Sequence, residues 1–159
     1  MTVPQSRSYT FDANALLSDN AAAYTASGYG QVNGANGIVD LGGNQSTTPK
    51  QQARIDAVAV IQVTAIDIAT GDEGYKILVV GSNASDMSTG NICLGSIQLG
   101  KAAHTDVPTA PDSTTGTYEV PFSNEQAGVF YEYVALYLVI AGTTPSISLF
   151  SFIAVLPEP

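Results

Sequence analysis

Few residues in this chain could do chemistry, and their spacing is the first test of each. The stretch SGYGQVNGANG (Ser27–Gly37) places glycine at Gly28, Gly30, Gly34 and Gly37. Glycine-rich loops hold phosphates when a strand leads in, a helix leads out and an acidic residue follows further on. Here SDNAAAYTA leads in, the short β-branched IVDLGG leads out, and the third glycine falls one residue late for that pattern. The stretch therefore reads as a turning connection, in which Asn33 and Asn36 join the glycines as residues that tolerate positive φ.

Acid–base and nucleophilic groups are equally sparse. The single histidine, His104, lies in a long polar segment, whereas a Ser–His–Asp triad requires an imidazole held and aimed. No G-x-S-x-G elbow is present. Cys93 is the only cysteine, which excludes an intrachain disulfide and a cysteine-built zinc site. Within NICLGSIQL it reads as a small apolar strand residue. Asp67, Asp72 and Glu73, around TGDEGYK, carry oxygen ligands suited to calcium, but their spacing fits no EF-hand. A solvated hairpin turn is the expectation there. A glycosidase carboxylate pair would want indole platforms for sugar, and the chain has no Trp. With no catalytic constellation assembled, the sequence predicts no enzyme, no cofactor and no metal site.

Composition narrows the partners. Five Lys and Arg against 14 Asp and Glu give a net charge of −9, a poor match to nucleic acid or to an anionic membrane. The cations Arg7, Lys50, Arg54, Lys76 and Lys101 are scattered. Charged residues make up 12% of the chain, about half the usual share. The surface must therefore be built from Ser, Thr, Asn, Gln and Gly, as suits an extracellular or assembly protein. MTVPQSRSYTF lacks the apolar core of a signal peptide, and no run is long and apolar enough for a membrane-spanning helix.

The elements that would carry these residues are strands. ARIDAVAVIQVTAID, GYKILVVGSN, NICLGSIQLG, GTYEVPF, VFYEYVALYLVIAG and PSISLFSFIAVL are rich in Val, Ile, Phe and Tyr and are bounded by turn residues. With GIVDL and a strand or short helix near Ala15–Ser18, they predict an all-β chain of about eight strands, an antiparallel jelly roll or β-sandwich. The division expected is a single domain over 1–159. It comprises an N-terminal arm and glycine-rich loop over 1–36, a sandwich over 37–156 and a tail over 157–159. From Phe130 to Ile140 both strand faces are apolar: Val134, Leu136 and Leu138 point one way, and Tyr131, Tyr133 and Tyr137 the other. An antiparallel strand with one wet face should alternate cleanly, so the tyrosine face is either covered core or a meeting surface for another subunit. The last strand repeats the pattern, with Phe150 and Phe152 opposite Ile147, Leu149 and Ile153. GKAAHTDVPTAPDSTTGT is long enough to be a functional or disordered loop. It reads as a flap carrying His104, Pro108 and Pro111.

Two stretches resemble the small jelly-roll capsid cement, or decoration, proteins of tailed bacteriophages. In Phe11–Gly43 the shared parts are Leu16, Leu17, Ser18 and Asp19, then Thr25 and Ser27, then the strand end Asp40, Leu41, Gly42. In Tyr131–Leu156 they are a hydrophobic strand, the turn Gly142, Thr143, Pro145 and a closing strand. Glu132 stands where that family carries a basic residue, so no contact through a charge there is carried over. The resemblance implies a homotrimer on the outer surface of the virion capsid, bound to the major capsid protein and stapling neighbouring capsomers. The residues expected to make contacts are Tyr9, Phe11, Leu16 and Leu17 in the arm, then Tyr131, Tyr133 and Tyr137, then the flap with His104, Pro108 and Pro111. The alternative is a jelly-roll carbohydrate- or receptor-binding module of a phage fibre or tail.

Overall fold

Val and Ile at every second position build long pleated strands. The computed structural model describes residues 9–42, 54–100 and 113–155. His104, Pro108, Pro111 and the 157–159 tail lie outside the described residues. A 3-10 turn at Ala13–Ala15 is capped by Asp12, whose carboxylate accepts the Asn14 amide at 2.9 Å. The strands follow as β1 (Leu16–Asp19), β2 (Gly28–Tyr29), β3 (Gln31–Val32), β4 (Ala35–Asn36), β5 (Ile38–Asp40), β6 (Asp56–Ile66) and β7 (Gly74–Ser82). The remainder are β8 (Ile92–Gly100), β9 (Gly116–Ser123), β10 (Glu125–Gln126), β11 (Val129–Phe130), β12 (Tyr133–Ala141) and β13 (Ile147–Val155).

Nine of these strands form two antiparallel sheets packed as a sandwich, and β3–β4 and β10–β11 are separate two-stranded hairpins. The first sheet runs β1-β13-β6-β9 and the second β2-β12-β7-β8, with β5 also paired to β12. Chain neighbours mostly lie in opposite sheets: β5 passes to β6, β8 to β9, and β12 to β13 across the core. The first and last long segments, β1 and β13, are sheet partners.

The core follows from period-two alternation. Ala57, Ala59, Ile61 and Val63 of β6 meet Tyr75, Ile77 and Val79 of β7, Val134, Leu136 and Leu138 of β12, and Ile147, Leu149 and Ile153 of β13 in one cluster. The faces predicted for the last two strands are the ones observed. Tyr75 is fully buried, and its hydroxyl lies 2.7 Å from the Asp67 carbonyl while accepting the Ser146 amide at 2.9 Å. That one hydroxyl ties the β6–β7 turn to the start of β13.

Where the sequence predicts a strand or short helix near Ala15–Ser18, the chain has the 3-10 turn and then Leu16–Asp19 as an edge strand of the first sheet, and Leu17 has no exposed surface. A bulge between Leu16 and Ser18 turns Leu17 into the core and leaves Ser18 to donate to the Leu149 carbonyl at 2.9 Å.

Candidate functional site

The glycine stretch turns out to be local architecture. Asn33 and Gly34 have φ of 53° and 78° and close the β3–β4 hairpin, as a two-residue turn of the type I′ form requires. Gly30 and Gly37 bracket this hairpin where it crosses β1. A Cβ on either would lie 2.3 or 2.4 Å from the Leu17 carbonyl oxygen. The glycines are thus needed for a turn and for a close backbone crossing. The Asp19 carboxylate finishes the corner by accepting the Asn33 and Ala21 amides, which hold its pKa below the ordinary value.

The acidic turn is exposed at Thr70, Gly71 and Asp72, as expected of a solvated turn, but Glu73 departs from that expectation. Glu73 is fully buried, with its carboxylate accepting the Thr70 and Gly71 amides at 2.8 Å and the Thr70 hydroxyl. Burial pushes this carboxyl up, but the Thr70 hydroxyl and the amides outweigh it, so the net shift is downward. Asp72 accepts the Thr143 amide and hydroxyl at 3.1 and 2.8 Å, which lowers its pKa too. These carboxylates are occupied by backbone and hydroxyl donors. Among the described residues no three His, Cys, Asp or Glu side chains converge into a metal site.

What remains is hydrophobic surface on the outside of both sheets. On the first sheet, Phe11 stacks over Phe150 and Phe152 at ring separations of 5.7 and 5.4 Å. Beneath and beside them, Val58, Val60 and Ala154 form a small cluster of their own with Tyr9. Phe11 keeps 49% of its surface exposed. On the second sheet, Val80, Met87 and Ala135 form another cluster, flanked by Tyr29, Ile38, Leu78, Tyr133 and Tyr137. Tyr29 and Tyr137 meet edge to face at 4.9 Å, the arrangement favoured by ring quadrupoles. The loop after β7 is latched here, because Asn91 donates to the Tyr29 hydroxyl and to the Met87 carbonyl at 3.0 and 2.9 Å. A shallow depression of about 490 Å³ opens beside this latch, lined by Tyr29, Leu78, Asn91, Cys93 and Tyr137.

The predicted contact residues divide accordingly. Tyr9 and Phe11 lie together over the first sheet, with the Tyr9 hydroxyl buried and unpartnered. Leu16 is half-buried opposite Phe152, and Leu17 belongs to the core. Tyr133 and Tyr137 share the second sheet's outer face, where burial and the nearby charges of Glu132 and Asp40 push the Tyr133 hydroxyl pKa up. Tyr131 is separated from them, because β12 begins only at Tyr133. Its Cβ lies 3.0 Å from where a Cβ on Gly81 would stand, beside Leu94, and its backbone is clamped by Asn124. Extending the alternation through that break put Tyr131 on the wrong side. Sequence reasoning did not select Tyr29, which it treated as part of a turn. It noted Phe150 and Phe152 without choosing them, although their period-two spacing carried the signal.

No family model, curated protein or solved structure matches this chain. No helix among the described residues is long and apolar enough to cross a membrane.

Proposed function

We propose that this chain is a structural cement protein of a tailed-bacteriophage capsid. It binds the major capsid protein on the outer surface of the shell as a homotrimer and staples neighbouring capsomers. The strand order supports a jelly roll: β1, β13, β6 and β9 face β5, β12, β7 and β8, as two Greek keys wound over one another would lie. The observation that carries the reading is aromatic side chains standing outside both sheets, with Phe11, Phe150 and Phe152 on one and Tyr29, Tyr133 and Tyr137 on the other. A sandwich that needed only its own core would bury one face per sheet and wet the other. Faces on opposite sheets point apart, so they suit two separate contacts, one to the shell and one between subunits. The charge of −9 favours a place outside the head, away from packaged DNA.

The test is co-sedimentation with expanded empty heads, together with light scattering of the free protein. The expected results are retention on the heads and a mass three times 16.4 kDa. Phe11→Ser, at a half-exposed position, is expected to weaken retention about tenfold or more, as loss of a buried aromatic anchor does. Undiminished retention by that variant would remove the first sheet from the contact. A chain that stays at 16.4 kDa and ignores heads would sink the whole reading.

A second reading is a carbohydrate- or receptor-binding module of a phage fibre or tail. It is favoured by the depression lined by two tyrosines beside the Asn91 latch, since sugars are held against aromatic ring faces. Glycan-array binding by a monomer, abolished by Tyr137→Ala, would select it over cement.

A further inference from the structure

The glycine-rich stretch holds two Asn-Gly pairs, Asn33–Gly34 and Asn36–Gly37. In such a pair the backbone nitrogen of the glycine can attack the side-chain carbonyl carbon of the asparagine, because the glycine has no Cβ to crowd the approach. A nitrogen–carbon bond closes a succinimide ring, and the side-chain nitrogen leaves as ammonia. Water then opens the ring at either carbonyl and yields aspartate or isoaspartate. The step needs no oxidant, reductant or enzyme. It needs a glycine nitrogen that is free to lose its proton and to reach the side chain.

The fold treats the two pairs differently. Asn33 and Gly34 are the exposed central residues of the β3–β4 turn, both at positive φ. Among the described residues no acceptor takes the Gly34 amide. Gly37 is buried, and its amide donates to the Gly30 carbonyl at 2.7 Å. Its Cα is also pressed towards the Leu17 carbonyl, where a Cβ would not fit. Freeing the Gly37 nitrogen means lifting the hairpin off β1, whereas the Gly34 nitrogen is reached by rearranging the turn alone.

We propose that Asn33 is a site of spontaneous deamidation, with water as the co-reactant, and that the fold spares Asn36. The product falls at a sensitive place. The Asp19 carboxylate accepts the Asn33 amide at 2.6 Å, so a carboxylate made at position 33 stands beside an existing one, and like charges repel. Isoaspartate also lengthens the backbone inside a turn whose length sets the hairpin's twist and register. Both changes loosen the hairpin from Asp19 and from the edge strand β1. The reaction requires neither shell nor partner, so it stands independently of the proposed function.

Incubation of the full chain in warm, mildly alkaline buffer, followed by peptide mapping with electron-transfer fragmentation, tests this. The mapping places the exchange of amide nitrogen for oxygen at position 33 or 36 and separates isoaspartate from aspartate. In the folded chain Asn33 is expected to react about tenfold or more faster than Asn36, since only Asn36 must await local opening. In urea that unfolds the chain the two rates are expected to converge. Asn33→Gly, which keeps a residue suited to positive φ in the turn, is expected to abolish the fast phase while circular dichroism stays unchanged. Equal rates at the two sites of the folded chain, no reaction at Asn33 where the unfolded chain reacts, or a fast phase that survives Asn33→Gly would each overturn the inference.

Discussion

At the scale of single residues, the chain distinguishes positions that look alike. Gly28 and Gly30 are two residues apart, yet a Cβ on Gly28 meets nothing within 4 Å, whereas one on Gly30 lies 2.3 Å from the Leu17 carbonyl oxygen. Gly30→Ala is therefore expected to lower stability by about 1–3 kcal/mol, the usual cost of overpacking. Gly28→Ala is expected to stay within about 0.5 kcal/mol of the parent, as for a surface change. Urea midpoints of the two variants measure the contrast. Ser151 offers the opposite case. Its hydroxyl is buried between the sheets with no partner, so Ser151→Ala is expected to raise stability by about 1 kcal/mol by removing an unsatisfied group. A destabilised alanine variant would show that the hydroxyl is satisfied after all.

At the scale of elements, the turns matter more than the strands. The β6–β7 turn holds Glu73 and Asp72 as acceptors of backbone and hydroxyl hydrogen bonds, and both carboxyls titrate below their ordinary values. A lowered folded pKa stabilises fully above the unfolded value, here 4.5 for Glu73, and that stabilisation is lost as pH falls through the lower folded value. Asp19 and Asp86, the latter held by the Ser88 hydroxyl and amide, act in the same direction. The urea midpoint is therefore expected to be level near neutrality and to fall in acid. Glu73→Gln is expected to be less stable than the parent at pH 7, with the gap closing as acid protonates the parent. A gap that persists or widens in acid would mean that Glu73 acts by shape alone. The strand elements were readable from alternation because β-branched and aromatic residues recur at period two. Tyr131 was misplaced because a break of two residues before β12 resets that period, and nothing in the local residue types marks such a break.

At the scale of the whole molecule, the sandwich spends its interior on one cluster and still has apolar side chains left for both outer faces. A chain with 12% charged residues has little else to cover them. Solubility then depends on net charge, which at −9 keeps copies apart except where local charges are arranged to attract. The outer faces support the proposed assembly role, in which the two surfaces are expected to respond to different substitutions. Phe11→Ser is expected to act on the contact made by the first sheet and Tyr137→Ser on the contact made by the second. One variant that abolished both would point to a single shared surface instead.

The amino-acid sequence by itself determined the all-β class and which residues of β12 and β13 share a face. Those properties depend on side-chain alternation and on residue type. Only the tertiary structure decided that Leu17 is core, that Glu73 is buried, and that Tyr29 joins Tyr137. These depend on which distant strands pair and in what register, and pairing is chosen by the summed burial of the whole core rather than by any short stretch of chain.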